Sequence, residues 1–167
     1  TTSKTATDQA YQPHAQRDEN VSVVRVANLL FHYTADESFR QMARQAMRYL
    51  AADPIVKRLP ASSALLADLE LSSAPLHLTI VGRKDDGLAQ SLFNAALAYP
   101  SSYKRLEWWD RREGNLPNPD VQYPELKTAA AFICTTTTCS SPIFKVEDLA
   151  ARVDRLLAVS NDSMATK

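Results

Sequence analysis

The sequence predicts a mixed α+β and α/β protein, in which an N-terminal αα-hairpin packs on a small, at least partly parallel α/β domain. Two observations lead to this prediction. Apolar residues between positions 21 and 50 recur at the helical spacing of three and four, whereas the residues at 76–81 follow the period of two that is typical of a strand. The later order of strand, helix and strand indicates a right-handed crossover between parallel strands.

The hairpin is predicted by two apolar stripes. The first, at 23–33, covers most of its helix, so we expect that helix to be largely buried. Thr34 and Glu37 have the spacing of a capping box and predict the start of the second helix. That helix has its apolar stripe at 39–50 and is expected to end before Pro54.

A short helix and an alternation of strands and helices are predicted after the hairpin. The strand at 128–133 is apolar on both faces, which is typical of a buried parallel strand and would place Cys134 at its carboxyl end. The predicted units are an arm at 1–18, the hairpin with a short helix at 19–74, the α/β domain at 75–160 and a loose tail at 161–167. The predicted elements after the hairpin are a helix at 60–74, strands at 76–81, 104–109 and 128–134, and helices at 88–99 and 147–157.

Composition excludes several classes of function. The 167 residues include 19 basic and 19 acidic side chains, so the chain lacks the basic field of a nucleic-acid or membrane-surface binder. Residues 1–20 show no signal peptide, and both a cytoplasmic and a periplasmic location stay open. Only three glycines are present, which argues against a nucleotide-binding loop.

One segment has the glycine spacing of a phosphate-binding loop. Gly82 and Gly87 follow a predicted strand, but Leu88 and Ala89 stand where such a loop needs Lys and Ser or Thr. Two aspartates also lie between the glycines. We therefore interpret the segment as a turn with acidic residues at a helix N-terminus.

The two cysteines, Cys134 and Cys139, are candidates for a disulfide or for redox chemistry. Four residues separate them, which is too many for the Cys-x-x-Cys redox motif, and no second pair or neighbouring His completes a zinc site. Two reduced thiols, a structural disulfide and a redox pair all stay open.

Two groups of residues are candidates for ligand binding. Arg25, Asn28 and His32 form a polar stripe on the first helix, which would either line a cleft or face solvent. Trp108 and Asp110 belong to a cluster of aromatic and charged residues that would either stack on a sugar or form a solvated turn. The sequence assigns no catalytic residue, no metal ligand and no cofactor.

Several short segments occur in an order that resembles a known family. They are ENVS at 19–22, LL at 29–30, YT at 33–34, MRYL at 47–50, LLAD at 65–68, LHLTIVG at 76–82, AFIC at 131–134 and CSSP at 139–142. Together they are similar to the C-terminal portion of the thioredoxin-domain-containing family related to the spermatogenesis-associated thioredoxin proteins. In that family a thioredoxin-like domain precedes a six-hairpin (α/α) barrel of the type found in glycosidases and sugar epimerases.

The resemblance implies a non-catalytic closing module of a larger protein, with the hairpin at the end of the barrel and a structural or binding role. Its partners would be the upstream thioredoxin and barrel portions or a partner chain, and a homo-oligomer stays open. Two alternatives remain: a thiol-disulfide redox protein that uses Cys134 and Cys139, and a remnant carbohydrate-binding or sugar-modifying fold with Trp108 and Asp110 at its site.

Overall fold

The structure is a computed structural model that describes residues 17–52, 62–134 and 139–165, with side chains described as far as 158. Residues 1–16 of the predicted arm, residues 53–61 with Pro54 and Pro60, residues 135–138 between the two cysteines, and residues 166–167 lie outside the described residues. The chain divides into two compact units, 1–74 and 75–167. Each unit is described by itself.

The first unit contains three helices within its described residues. They are α1 (Arg17–Thr34), α2 (Glu37–Leu50) and α3 (Ser62–Ser72). The inner faces of the three helices form a small apolar core, in which alanines allow close approach. The core residues are Val21, Val24, Ala46, Leu50 and Ala67.

The turn between α1 and α2 differs from the predicted capping box. The Thr34 hydroxyl donates to the carbonyl of Leu30 at 2.8 Å and so belongs to the end of α1. Ala35 then adopts a positive φ of 58°. Asp36 is the N-cap of α2, since its carboxylate accepts a hydrogen bond from the Ser38 amide at 2.9 Å. The predicted box was wrong because the turn needs one residue in the left-handed region before the cap.

The expectation that α1 is largely buried is also wrong. Val21 and Val24 lie in the core, but Val23, Val26 and Leu30 are 38%, 59% and 37% exposed. The helix therefore carries two apolar stripes, and only one of them packs inside the unit.

The second unit alternates strands and helices. Its elements are β1 (Leu76–Val81), α4 (Gly87–Ala98), β2 (Lys104–Trp109), a short 3-10 helix (Arg111–Glu113), β3 (Ala130–Cys134) and α5 (Val146–Ala165). The bounds of β1 and β2 are those predicted from the sequence. The last helix continues through 161–165, so the predicted loose tail was wrong for these residues.

The three strands form one mixed sheet in the order β2-β1-β3. β1 and β2 are parallel, whereas β3 is antiparallel to β1, with Cys134 opposite His77 and Ala130 opposite Val81. The prediction of a parallel β3 was wrong because the connection 110–129 contains no helix that would carry the chain back across the sheet. Cys134 therefore lies at the end of the sheet opposite to the carboxyl ends of β1 and β2. The general prediction of a mixed, partly parallel α+β protein is confirmed.

Alternating side chains give the sheet two different faces. The helix face is apolar and packs against α4 and α5. The loop face is covered by the connection 110–129 and carries most of the buried polar groups. Residues of the helix face include Leu78, Ile80, Leu106, Ala131 and Ile133, and those of the loop face include His77, Thr79, Arg105, Glu107 and Phe132.

Candidate functional site

Three chain segments meet at the carboxyl ends of β1 and β2. Residues from 81–86, 110–112 and 126–129 line a crevice of about 230 Å³. The chain leaves β1 towards α4 on the helix face, whereas it leaves β2 into the connection that covers the loop face. Open α/β sheets bind ligands where connections from neighbouring parallel strands diverge in this way. We call this feature the carboxyl-end crevice.

Asp110 joins the two strand ends that border the crevice. It is 3% exposed, and its Oδ2 accepts a hydrogen bond from the Lys84 amide at 3.0 Å. The Nε of Arg112 donates to both oxygens of Asp110, at 3.0 and 3.1 Å. The Arg112 hydrogen bonds, followed by that from Lys84, hold the pKa of Asp110 well below its ordinary value. Asp110 is therefore an ionised carboxylate with both oxygens occupied.

The loop after β1 ends in a capped helix rather than in an anion site. The Oδ1 of Asp86 accepts hydrogen bonds from the amides of Leu88 and Ala89, at 2.7 and 3.3 Å. These are the amides that a phosphate would use at a helix N-terminus. The interpretation of the glycine spacing as a capped turn is therefore confirmed.

Close packing explains Gly82, which opens this loop. A Cβ at this position would lie 2.6 Å from the Cβ of Ala129 and 3.2 Å from that of Ala89. The glycine thus allows β1 to approach both α4 and the segment before β3.

A buried polar network lies on the loop face, away from the crevice. The Nε2 of His77 lies 2.9 Å from a Glu107 oxygen and 3.0 Å from the Thr79 hydroxyl. The Tyr123 hydroxyl donates to Thr79 at 2.7 Å and lies 3.8 Å from the sulfur of Cys134. Burial is the main cause that raises the pKa of Tyr123 to about 12.

Arg105 anchors this network to the covering connection. Its side chain is 2% exposed and donates to Glu107 at 3.1 Å, to Asp120 at 2.6 Å and to the carbonyl of Asn118 at 3.1 Å. Burial by itself lowers the pKa of Arg105, but its two carboxylate partners outweigh that effect and raise the pKa above its ordinary value. Its Nε is the buried side-chain nitrogen without a hydrogen-bond partner among the described residues.

Cys134 and Cys139 are joined by a disulfide, with their Cα atoms 4.1 Å apart. Cys134 is 3% exposed and contacts Tyr123, whereas Cys139 is half-buried. Lys145, the cation nearest to the two cysteines in the sequence, is exposed and makes no ion pair with the described residues. The buried sulfur favours a structural bridge.

The polar stripe of α1 divides between two environments. Arg25 donates to both oxygens of Glu70 on α3, at 2.7 and 2.9 Å, and the Asn28 side chain donates to the Glu70 carbonyl at 2.8 Å. His32 is half-buried and has an edge contact with Phe31. Arg25 and Asn28 therefore both bind α3, but only Asn28 is buried, at 2% exposed.

Trp108 and Asp110 are close in sequence but lie in different environments. The ring of Trp108 packs 4.9 Å from Phe93 on the helix face, and its Nε1 donates to the Gly82 carbonyl at 3.1 Å. Glu107 belongs to the loop-face network with His77 and Arg105, so Glu107 and Asp110 do not form a carboxylate pair at one site. The expected solvated turn is correct for the exposed 3-10 helix but wrong for Asp110, which is buried.

The sequence did not predict Lys127 in the crevice, or Arg105 and Tyr123 on the loop face. Arg111 belonged to the predicted cluster of aromatic and charged residues, but no role in the crevice was predicted for it. A signal existed for Arg105, because β1 and β2 each carry polar residues at alternate positions. Arg111 and Lys127 come from separate parts of a connection without regular periodicity, so no spacing links them.

Among the described residues, no helix combines the length and apolar character that crossing a bilayer requires. The same residues contain no group of three or more His, Cys, Asp or Glu side chains that could hold a metal ion. No family model, curated protein or solved structure matches the chain. The resemblance to the thioredoxin-domain-containing family therefore stays a prediction.

Proposed function

We propose that this chain is a non-catalytic module of a larger protein and that its helical unit binds further helices of that protein. The supporting observation is an open apolar groove of about 290 Å³ between α1 and α2. Its lining includes Val23, Val26, Leu30 and Met42, which are 38%, 59%, 37% and 50% exposed.

Such a groove is unusual for a helix whose inner stripe is already packed. A surface helix buries one apolar stripe and presents polar residues elsewhere. α1 has a second stripe, and α3 adds Leu65 and Leu69, which are 66% and 62% exposed. Exposed apolar residues that line one groove, as those of α1 and α2 do here, mark an interaction site. A helical hairpin of an α/α barrel contacts neighbouring hairpins, so the surface agrees with the occupant that the resemblance implies.

The two alternatives receive less support. A redox role needs an accessible sulfur, whereas Cys134 is 3% exposed next to Tyr123 and Cys139 is half-buried. A sugar site needs an open aromatic face and free carboxylate oxygens. Trp108 packs against Phe93, and Asp110 has both oxygens occupied.

Sedimentation velocity of the isolated chain tests whether the groove mediates protein association. We expect concentration-dependent self-association, because a second copy replaces the missing helices, and we expect Val26→Glu to abolish it. Gln41→Glu is the matched control, since it adds the same charge at an exposed polar position of α2. A strict monomer at all concentrations would count against the proposal.

A labelling experiment tests the occupant directly. Both native cysteines are in the disulfide, so a Val26→Cys variant carries one free thiol. In a longer natural protein that contains this sequence, we expect maleimide to label this thiol far more slowly than in the isolated chain. Gln41→Cys should label at similar rates in both. Equal rates for Val26→Cys in the two proteins would overturn the proposed occupant.

A further inference from the structure

The carboxyl-end crevice has an excess of positive charge, although the whole chain is neutral. Four cationic side chains and two carboxylates line it, so the lining carries two more positive than negative charges. Both carboxylates, Asp86 and Asp110, already accept hydrogen bonds from the protein. The lining cations are Arg83, Arg111, Arg112 and Lys127.

The cations differ in how much of their bonding capacity the protein uses. Arg83 and Arg112 form ion pairs with Asp85, and Arg112 also pairs with Asp110. Lys127 is exposed and makes no ion pair or hydrogen bond with the residues that the structure describes. It is the uncommitted charge of the crevice.

Neutral groups hold Arg111 in place, so no carboxylate neutralises its charge. Its Nη2 donates to the carbonyls of Tyr123 and Pro124, both at 3.0 Å, and its guanidinium lies 4.3 Å over the ring of Trp109. Within the described part of the chain, its Nε and Nη1 have no acceptor. A guanidinium fixed in this way is pre-organised for an oxyanion.

We propose that the carboxyl-end crevice binds a small monocarboxylate with a short apolar body. Arg111 and Lys127 hold the carboxylate, and Val81, Leu126 and Ala129 supply apolar contacts. The volume of about 230 Å³ is below the range of pockets for drug-sized ligands, so the ligand is small.

The charges also favour a carboxylate over a phosphate. Asp86 occupies the amides at the start of α4, so the helix N-terminus does not contribute donors to the ligand. The Asp110 carboxylate in the same lining repels a doubly charged phosphate more strongly than a singly charged carboxylate.

NMR titration of the ¹⁵N-labelled chain with sodium benzoate tests the site. We expect saturable shifts of the Gly82 and Thr128 amides, with a Kd on the order of 1 mM that weakens as salt screens the cations. Benzamide, which has the same ring without the charge, should give no saturable shift. Inorganic phosphate is the third probe. Phosphate binding without benzoate binding overturns the assignment to a carboxylate.

Lys127→Met tests the residue without disturbing the fold, because Lys127 has no partner to lose. We expect its Kd for benzoate to rise about tenfold, the size of one lost charge-assisted hydrogen bond. Lys145→Met removes another exposed lysine, outside the crevice, and should leave the Kd unchanged. Equal affinities for all three proteins, or shifts that never saturate, overturn the proposal. The site lies within the second unit, so this outcome leaves the proposal for the helical unit untouched.

Discussion

Arg105→Met should destabilise the second unit severely, because it leaves the Glu107 carboxylate buried without its cation. The side chains of Arg105 and Glu107 are 2% and 5% exposed and lie 3.0 Å apart. Removal of one partner of a buried ion pair costs about 3–5 kcal/mol. Glu107→Gln should cost less, at most about 3 kcal/mol, because Gln keeps an acceptor oxygen and Arg105 keeps Asp120 at 2.6 Å.

Urea denaturation followed by tryptophan fluorescence measures these costs. Both tryptophans lie in β2, so the signal reports on the second unit. Arg83→Met is the matched control, since it breaks an ion pair whose side chains are 64% and 56% exposed. The control should show no resolvable change, because water screens an exposed pair. A loss for Arg105→Met no larger than that of the control, or smaller than that of Glu107→Gln, would refute the reasoning.

Three further predictions concern the second unit. Cys134→Ser should leave the fold intact and lower the free energy of unfolding by about 2 kcal/mol, as expected for so small a loop; native thiols detected in the unreduced protein would contradict the bridge. Burial raises the pKa of Tyr123 to about 12 in the folded state. The contribution of its neutral hydroxyl to the free energy of unfolding is therefore complete below the unfolded pKa of about 10 and is lost as the pH rises towards 12. Denaturation at increasing alkaline pH should show this loss in the native chain and not in Tyr123→Phe. Gly82→Ala should cost about 1–3 kcal/mol because the new methyl overlaps Ala129, whereas Gly87→Ala, with nothing within 4 Å, should cost nothing in the same assay.

Strands were predicted well from the sequence where the side-chain period agrees with the positions of Pro and Gly, which begin or end a strand. β1 is bounded by Pro75 and Gly82, and its residues suit a strand buried on both faces. The direction of β3 was not predictable in the same way. A strand that is apolar on both faces is a buried strand, and burial between two helices and the covering connection gives the same pattern as a parallel position.

The candidate site was only partly predictable. Asp110 was found because it stands in an unusual local cluster. Arg111 and Lys127 both line the crevice because the connection 110–129 returns to the carboxyl end of β1, and this path depends on tertiary packing. The loop-face network had a sequence signal, since His77 and Thr79 on β1 match Arg105 and Glu107 on β2 at the same alternation. Their pairing could be inferred only with the parallel register of the two strands.

The sheet order gives the two outer strands unequal protection from aggregation. β3 is partly covered on its outer side, where Ala131 pairs with Ile143. The outer side of β2 has no strand partner among the described residues, so its backbone groups offer a template for another strand. Arg105 and Glu107 are inward-pointing charges on this edge strand, and they are satisfied only by the partners that this fold supplies. A β2 strand that leaves this fold to join a foreign sheet would bury both charges without those partners, so aggregation through an unfolded second unit is costly.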